Sequence, residues 1–425
     1  MSRTLTKTVT SVVAALLGLV ALSACGPATS STTGSASPDG QGEDALPRVC
    51  QEDNSLECLR LDSGQWIAMV GEPGPDGLVV LDAGGPGATG RESLALRAAL
   101  PASLSERAAV VLLEPWTYDP WSTRCRPELA ELSLGSRTDL PVQCPDIVSK
   151  LEAAGRGQLA QNIEKAVGQP ISAVVAFSFG APRTLPLWAG LRSDDTLIVM
   201  APAPSPGTSS ADVVTARSRS VTKLVTQVRE EECTPADDCP SVNDFLAEVA
   251  GEGNFRKSKV TLGQVRLFLL AATVDPAKYT PVITELLKDG ALKTESTIER
   301  TALSFARVID DGPALPSNVG FRSEMCQAYG EIDGLAEGDA IARSFADQLG
   351  PCTGTQFWDD NLPESIEAQA CLIVNEEDLV ASPDLIDDYR KAFGPDRLRT
   401  VNAPAHELPL GALKALTFTD GGSCR

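Results

Sequence analysis

The sequence predicts an α/β chain: a mostly parallel β-sheet covered by helices on both faces and interrupted by an inserted helical cap. Three observations lead there. Through the first half, short apolar β-branched runs alternate with helical periodicity, the pattern of β-α-β units. One of these runs, residues 171–175, enters a serine-centred turn that opens into a helical segment. Between about residues 204 and 321 the strand signal is lost and only helical periodicity remains.

In chain order, Arg3 and Lys7 precede an apolar run at 12–22 that is too short to span a bilayer as a stable helix. The run ends at Leu22-Ser23-Ala24-Cys25-Gly26, which resembles a bacterial lipobox. Cleavage before Cys25 would leave a lipid-modified cysteine as the mature N-terminus; the alternative is an ordinary signal peptide with an incidental cysteine. Residues 25–45 are rich in Ser, Thr, Gly and Pro and read as a flexible tether. The expectation is an exported protein, anchored by lipid to the extracytoplasmic face of the cell membrane.

Composition narrows the partners. A net charge of −21, from 36 basic and 57 acidic residues, repels nucleic acid. Setting Cys25 aside, the eleven cysteines leave an even number, as a disulfide-bonded exported protein requires. Spacing suggests the local pairs Cys50 with Cys58, Cys125 with Cys144 and Cys233 with Cys239, then Cys326 with Cys352 and Cys371 with Cys424. A zinc site is the rival use of cysteine, but a single histidine and no Cys-x-x-Cys pair speak against it, so no metal or cofactor is expected. The chain exceeds one typical domain, and one large domain with an insertion accounts for it best. That domain is divided into a first core segment (46–202), a cap (203–325) and a second core segment (326–425).

Strands are predicted at 65–70 and 77–82, joined by a Pro/Gly turn, then at 108–113, 171–175, 196–200, 370–374 and 397–401. Helices are predicted around 92–100, at 148–167, 182–191 and 383–393, with cap helices including 213–229, 242–249 and 262–272. Pro182 suits a first helical turn, whereas Pro186 should delay or kink that helix.

The chemistry centres on Ala176-Phe177-Ser178-Phe179-Gly180, a small-x-Ser-x-Gly turn between a buried strand and a helix. This is the nucleophile elbow of the α/β-hydrolase fold, where small neighbours are needed because the serine occupies a strained turn. A serine hydroxyl needs a base, and the chain has one histidine, His406, in the loop after the last predicted strand. The acid is expected in the loop Asn375-Glu376-Glu377-Asp378; Asp378 is preferred, with Glu377 and Glu376 as rivals, which preserves the chain order Ser, Asp, His. The oxyanion donors are expected to be the amides of Phe179 and of Gly85 in the loop Ala83-Gly84-Gly85-Pro86-Gly87.

Together, the Gly-Gly-Pro-Gly loop, the Ser178 elbow, the Asp378 loop with Ser382-Pro383 and the late His406 resemble the tripeptidyl-aminopeptidase and proline-iminopeptidase branch of the α/β-hydrolases, especially its exported, disulfide-bonded members. The resemblance covers most of the chain from about residue 50, the cap matching only in position and helical character. It implies a serine exopeptidase that releases residues from peptide N-termini, with the cap selecting substrate and an acidic side chain holding the free amine; Glu324, Glu230 and Glu231 are candidates. The chain departs from that branch at Ala83 (usually His or Asn), at Ala176 (usually Gly) and at Glu114-Pro115-Trp116-Thr117, which replaces an Asp-x-Arg-Gly segment. Two other readings stay open: an esterase or amidase on the same fold, or a non-catalytic hydrolase-fold lipoprotein.

Overall fold

The central sheet has eight strands in the order β1-β2-β4-β3-β5-β6-β7-β8. These are β1 (Glu57–Arg60), β2 (Trp66–Val70), β3 (Leu78–Asp82), β4 (Ala108–Leu113), β5 (Ile171–Phe177), β6 (Thr196–Met200), β7 (Gln369–Asn375) and β8 (Leu398–Val401). The structure is a computed structural model. It describes residues 46–86, 90–113, 156–305 except 235–236 and 289–291, 318–349 except 333 and 336–338, 352, and 358–425 except 404 and 420–421. The predicted signal peptide, Cys25, the tether, the segment at Glu114 and the pair Cys125 with Cys144 lie outside the described residues.

From β4 onward every neighbouring pair is parallel, while β2 runs antiparallel to both β1 and β4 at one edge. The central strands are buried throughout, which explains why they read as unbroken apolar runs without alternation. Side chains of alternate parity feed two cores. Val80, Val174, Val199 and Leu372 pack against α1 (Leu159–Val167), α2 (Gly180–Trp188) and the later helix Asp387–Phe393. Leu81, Val175, Ile198 and Ile373 face the opposite layer around Leu96, Leu100 and Leu413. β1 carried no readable signal, being a short, half-exposed edge strand. The helix expected at 383–393 divides into a short 3-10 turn, Pro383–Leu385, and the helix Asp387–Phe393.

Pro186 does lie inside α2. A proline there leaves the carbonyl four residues earlier without its helical donor. Arg156 supplies the replacement: its Nη2 donates to the Pro182 carbonyl at 2.9 Å and its Nη1 to the Arg183 carbonyl at 3.3 Å.

Between β6 and β7 the chain forms the helical layer: α3 (Ser210–Glu232), α4 (Val242–Val249), α5 (Leu262–Ala272), α6 (Pro276–Leu287), α7 (Glu295–Phe305), α8 (Asn318–Tyr329) and α9 (Ala340–Leu349). The cap boundary expected at 325/326 falls inside α8 and must move. Phe321, Met325, Ala328 and Tyr329 of α8, and Ile341 and Phe345 of α9, join the same apolar cluster as Val225, Phe268 and Leu286, so the helical layer extends through α9. Within that cluster lie two residues of the core, Phe179 after β5 and Leu379 after β7.

Disulfides join Cys50 to Cys58, Cys233 to Cys239, Cys326 to Cys352 and Cys371 to Cys424. The last closes a span of 53 residues. By loop-closure entropy it contributes about 4 kcal/mol, anchoring the C-terminus to the middle of β7.

Candidate active site

Ser178 follows directly on β5 and has φ of 53°, a left-handed conformation that a non-glycine residue adopts only under constraint. The constraint is visible in the backbone. The Ser178 amide donates to the Met200 carbonyl at 3.0 Å, and the Ser178 carbonyl accepts from the amides of Ala203 at 3.0 Å and Ala181 at 3.1 Å. Gly180 must be small for a separate reason: a Cβ there would stand 2.6 Å from the Asp82 carbonyl oxygen and 2.7 Å from Asp82 Oδ1.

The last two β-strands deliver the partners. The loop after β7 carries Asp378, and the loop after β8 carries His406. His406 Nδ1 donates to Asp378 Oδ2 at 2.7 Å, because an ionised carboxylate can only accept. That tautomer leaves Nε2 as the acceptor for the Ser178 hydroxyl, at 2.9 Å. Asp378 Oδ1 accepts from the amides of Val380 at 2.7 Å and Ala381 at 2.9 Å, which fixes the carboxylate plane. The Phe177 ring stacks on the imidazole, with centroids 4.8 Å apart. Ser178 and His406 are each only 8% exposed.

The rival carboxylates are placed elsewhere. Glu376 is exposed and pairs with Arg390 at 2.9 Å, and Glu377 is exposed. Asn375, which the sequence offered only as the start of the loop, has a defined role. Its Nδ2 donates to the carbonyls of Ala403 (3.0 Å) and Ala405 (3.1 Å), and its Oδ1 accepts from the amides of Ala403 (3.0 Å) and Glu377 (3.2 Å). One buried amide side chain therefore joins the acid loop to the histidine loop. A polar residue ending an apolar strand was the available signal.

The glycine loop lies against the elbow. Gly84 and Gly85 have φ of 72° and 76°, and a Cβ on Gly84 would fall 2.2 Å from the Phe177 carbonyl oxygen and 2.8 Å from the Phe179 nitrogen. The Gly84 amide is already committed to Asp82 Oδ1 at 2.8 Å. The amides of Gly85 and Phe179 have no hydrogen-bond partner among the described residues. They are thus the two that remain able to meet a developing negative charge.

Beneath this loop is an ionic network that the sequence did not disclose. Arg183, on α2, has Nη1 at 2.8 Å from Asp82 Oδ1, Nε at 2.7 Å from Glu324 Oε1, and Nη2 at 3.0 Å from Glu324 Oε2 and 3.1 Å from the Gly85 carbonyl. All three side chains are about 4% exposed. A charged residue on the buried side of the elbow helix was the only hint. Of the carboxylates considered as amine acceptors, Glu324 is engaged with Arg183, and Glu230 and Glu231 are exposed on α3.

Strand order, the strained serine at the end of β5 and the loops after β7 and β8 define an α/β-hydrolase fold with an inserted cap. No family model and no curated protein matches the chain. Among solved structures, it is similar to a membrane phospholipase A described as a bacterial virulence factor, at 14% identity over 85% of this chain and 81% of that one (TM-score 0.33). It is also similar to an esterase from Rhodococcus sp. ECU1013, at 9% identity over 85% of this chain and 94% of that one (TM-score 0.34). A third is an epoxide hydrolase of the α/β-hydrolase superfamily from hot-environment metagenomes, at 12% identity over 82% of this chain and 90% of that one (TM-score 0.29). Likeness at this level has no bearing on activity, and the fold assignment rests on topology and on the elbow.

Proposed function

We propose that the protein is a serine hydrolase in which Ser178 is the nucleophile, His406 the general base and Asp378 the acid that orients it. The observation that carries this is the continuous hydrogen-bonded chain from Ser178 through His406 to Asp378. As Ser178 Oγ attacks a substrate carbonyl carbon, its proton passes to His406 Nε2, and Asp378 stabilises the imidazolium. The amides of Phe179 and Gly85 receive the oxyanion, each donor lowering the barrier by about 3 kcal/mol. Collapse of the tetrahedral intermediate forms the acyl-serine and expels the leaving group, which takes the proton from His406. Water then enters by the same base catalysis and releases the acid and the free serine.

The glycine loop gives a separate check. Gly84→Ala is expected to slow fluorophosphonate labelling of Ser178 by roughly 10²–10³-fold, the scale of a lost oxyanion donor. The added methyl would push the loop off the elbow amides. Gly74→Ala, where nothing lies within 4 Å of the new methyl, serves as the control. Equal labelling rates in the two variants would refute the placement of the oxyanion site.

Within this class, we read the protein as an exopeptidase acting on peptide N-termini, tethered to the membrane surface through Cys25. Support comes from the motif set that resembles the aminopeptidase branch. One observation favours the second reading, an esterase or amidase: the Arg183 guanidinium already neutralises Glu324. Turnover of aminoacyl p-nitroanilides against their N-acetylated forms separates the two. A free-amine preference of tenfold or more supports the exopeptidase, and equal or better turnover of blocked amides and simple esters rejects it. Metabolic labelling with a fatty-acid probe, lost in Cys25→Ser, tests the anchor.

A further inference from the structure

We infer that the helical cap is a fixed positioning element of the catalytic centre, in which Arg217 holds the acid loop, Val274 holds the base loop and Glu324 holds the oxyanion loop through Arg183. The inference rests on the serine-hydrolase reading. Each tie is a polar contact that crosses from cap to core.

Arg217, on α3, is buried. Its Nη1 donates to the carbonyl of Leu379, the residue after Asp378, at 3.0 Å; its Nη2 donates to the carbonyl of Leu270 in the last turn of α5 at 3.3 Å. Burial lowers the guanidinium to about 10 while Asp378 raises it, so the group stays cationic at neutral pH. Just beyond the same helix end, the Val274 carbonyl accepts from the backbone amide of His406 at 2.9 Å. The C-terminal end of α5 therefore touches both the acid loop, through Arg217, and the base loop directly.

The third tie stands on α8. Glu324 grips Arg183, which in turn grips the Gly85 carbonyl. Beside it, the Phe179 ring inserts into the cap cluster, its centroid 6.2 Å from Tyr329 and 5.8 Å from Trp358. A cap that swung as a lid at this side would break the Arg217 bond to Leu379, the bond from the His406 amide to Val274 and the Arg183–Glu324 pair together, and lose charge-assisted contacts made in a water-poor interior. The cap instead shares the preorganisation of the site, and substrate must enter without displacing α3, the end of α5 or α8.

The test uses the full chain and needs no substrate. Fluorophosphonate labelling reads nucleophile activation and the oxyanion site together. Because His406 is the sole histidine, the downfield proton resonance of its Nδ1–H bond to Asp378 requires no assignment. Arg217→Gln is expected to label about 10²-fold more slowly, as for a misplacement of about 1 Å, and to broaden or lose that resonance. Arg217→Lys is expected to recover part of both signals. Glu324→Gln is expected to label at least roughly tenfold more slowly with the resonance unchanged, because it acts on the oxyanion loop alone. Labelling within twofold of wild type and an intact resonance in folded Arg217→Gln would overturn the inference. If Arg217→Gln does not fold, Glu324→Gln decides by the same twofold limit. A wild-type protein that neither labels nor shows the resonance removes the serine-hydrolase reading, and this inference with it.

Discussion

Replacing His406 with alanine is expected to reduce turnover by about 10⁴–10⁶-fold, as is replacing Ser178, with no further loss in the double variant; labelling of Ser178 falls on the same scale in His406→Ala and is abolished in Ser178→Ala, which lacks the labelled oxygen. The two act as a unit: without the imidazole the 2.9 Å acceptor for the serine proton is gone, and the chain has no other histidine to take its place. Asp378→Asn should fall somewhat short of this, near 10⁴-fold, because it leaves the ring in place but reverses the preferred tautomer. Glu377→Gln should stay within about twofold, since that side chain is exposed and outside the hydrogen-bonded chain. Turnover of the four single variants and of the Ser178/His406 double variant, with pre-steady-state labelling of those that keep Ser178, measures all of this at matched folded concentration. Retention of more than about one per cent of wild-type rate in His406→Ala would remove the histidine from the mechanism.

Arg183→Met is expected to cost about 3–5 kcal/mol of stability, the scale for breaking a buried pair from one side. Two carboxylates, Asp82 and Glu324, would be left facing each other's charge in the interior, and the Gly85 carbonyl would lose its donor. The effect should appear as a lower urea midpoint at unchanged m-value. Adding Glu324→Gln to Arg183→Met should recover part of the loss, because one stranded charge is removed, so the two substitutions will not add. A loss below about 1 kcal/mol in Arg183→Met would mean that the network is solvated in solution and does not stabilise the oxyanion loop.

These predictions separate what is local in the chain from what is not. Strand β4, at 108–113, and the helices at 242–249 and 262–272 lie where the periodicity placed them, because burial of a strand on two faces and of a helix on one is written into neighbouring residues. The elbow was legible for the same reason: a buried strand, small residues around Ser178 and a following helix all lie within about twenty positions. The single histidine left one candidate for a base, whereas the loop after β7 offered three carboxylates, of which Asp378 was only preferred. Their placement follows the direction in which the chain leaves β7 and the amides of Val380 and Ala381, which hold Asp378 inward while Glu376 and Glu377 stay in solvent.

The sequence by itself determined the strands β2 to β8, the serine turn and the one histidine available to it. Only the tertiary structure showed which carboxylate of the loop after β7 meets His406, how far the helical layer runs and which groups partner Arg183 and Arg217. Arg183 meets Asp82 across 101 positions and Glu324 across 141, and Arg217 meets Leu379 across 162. No periodicity records such pairings, because a buried charge is tolerated only where folding brings its counter-charge or acceptor to it, and that choice is made by packing between distant elements.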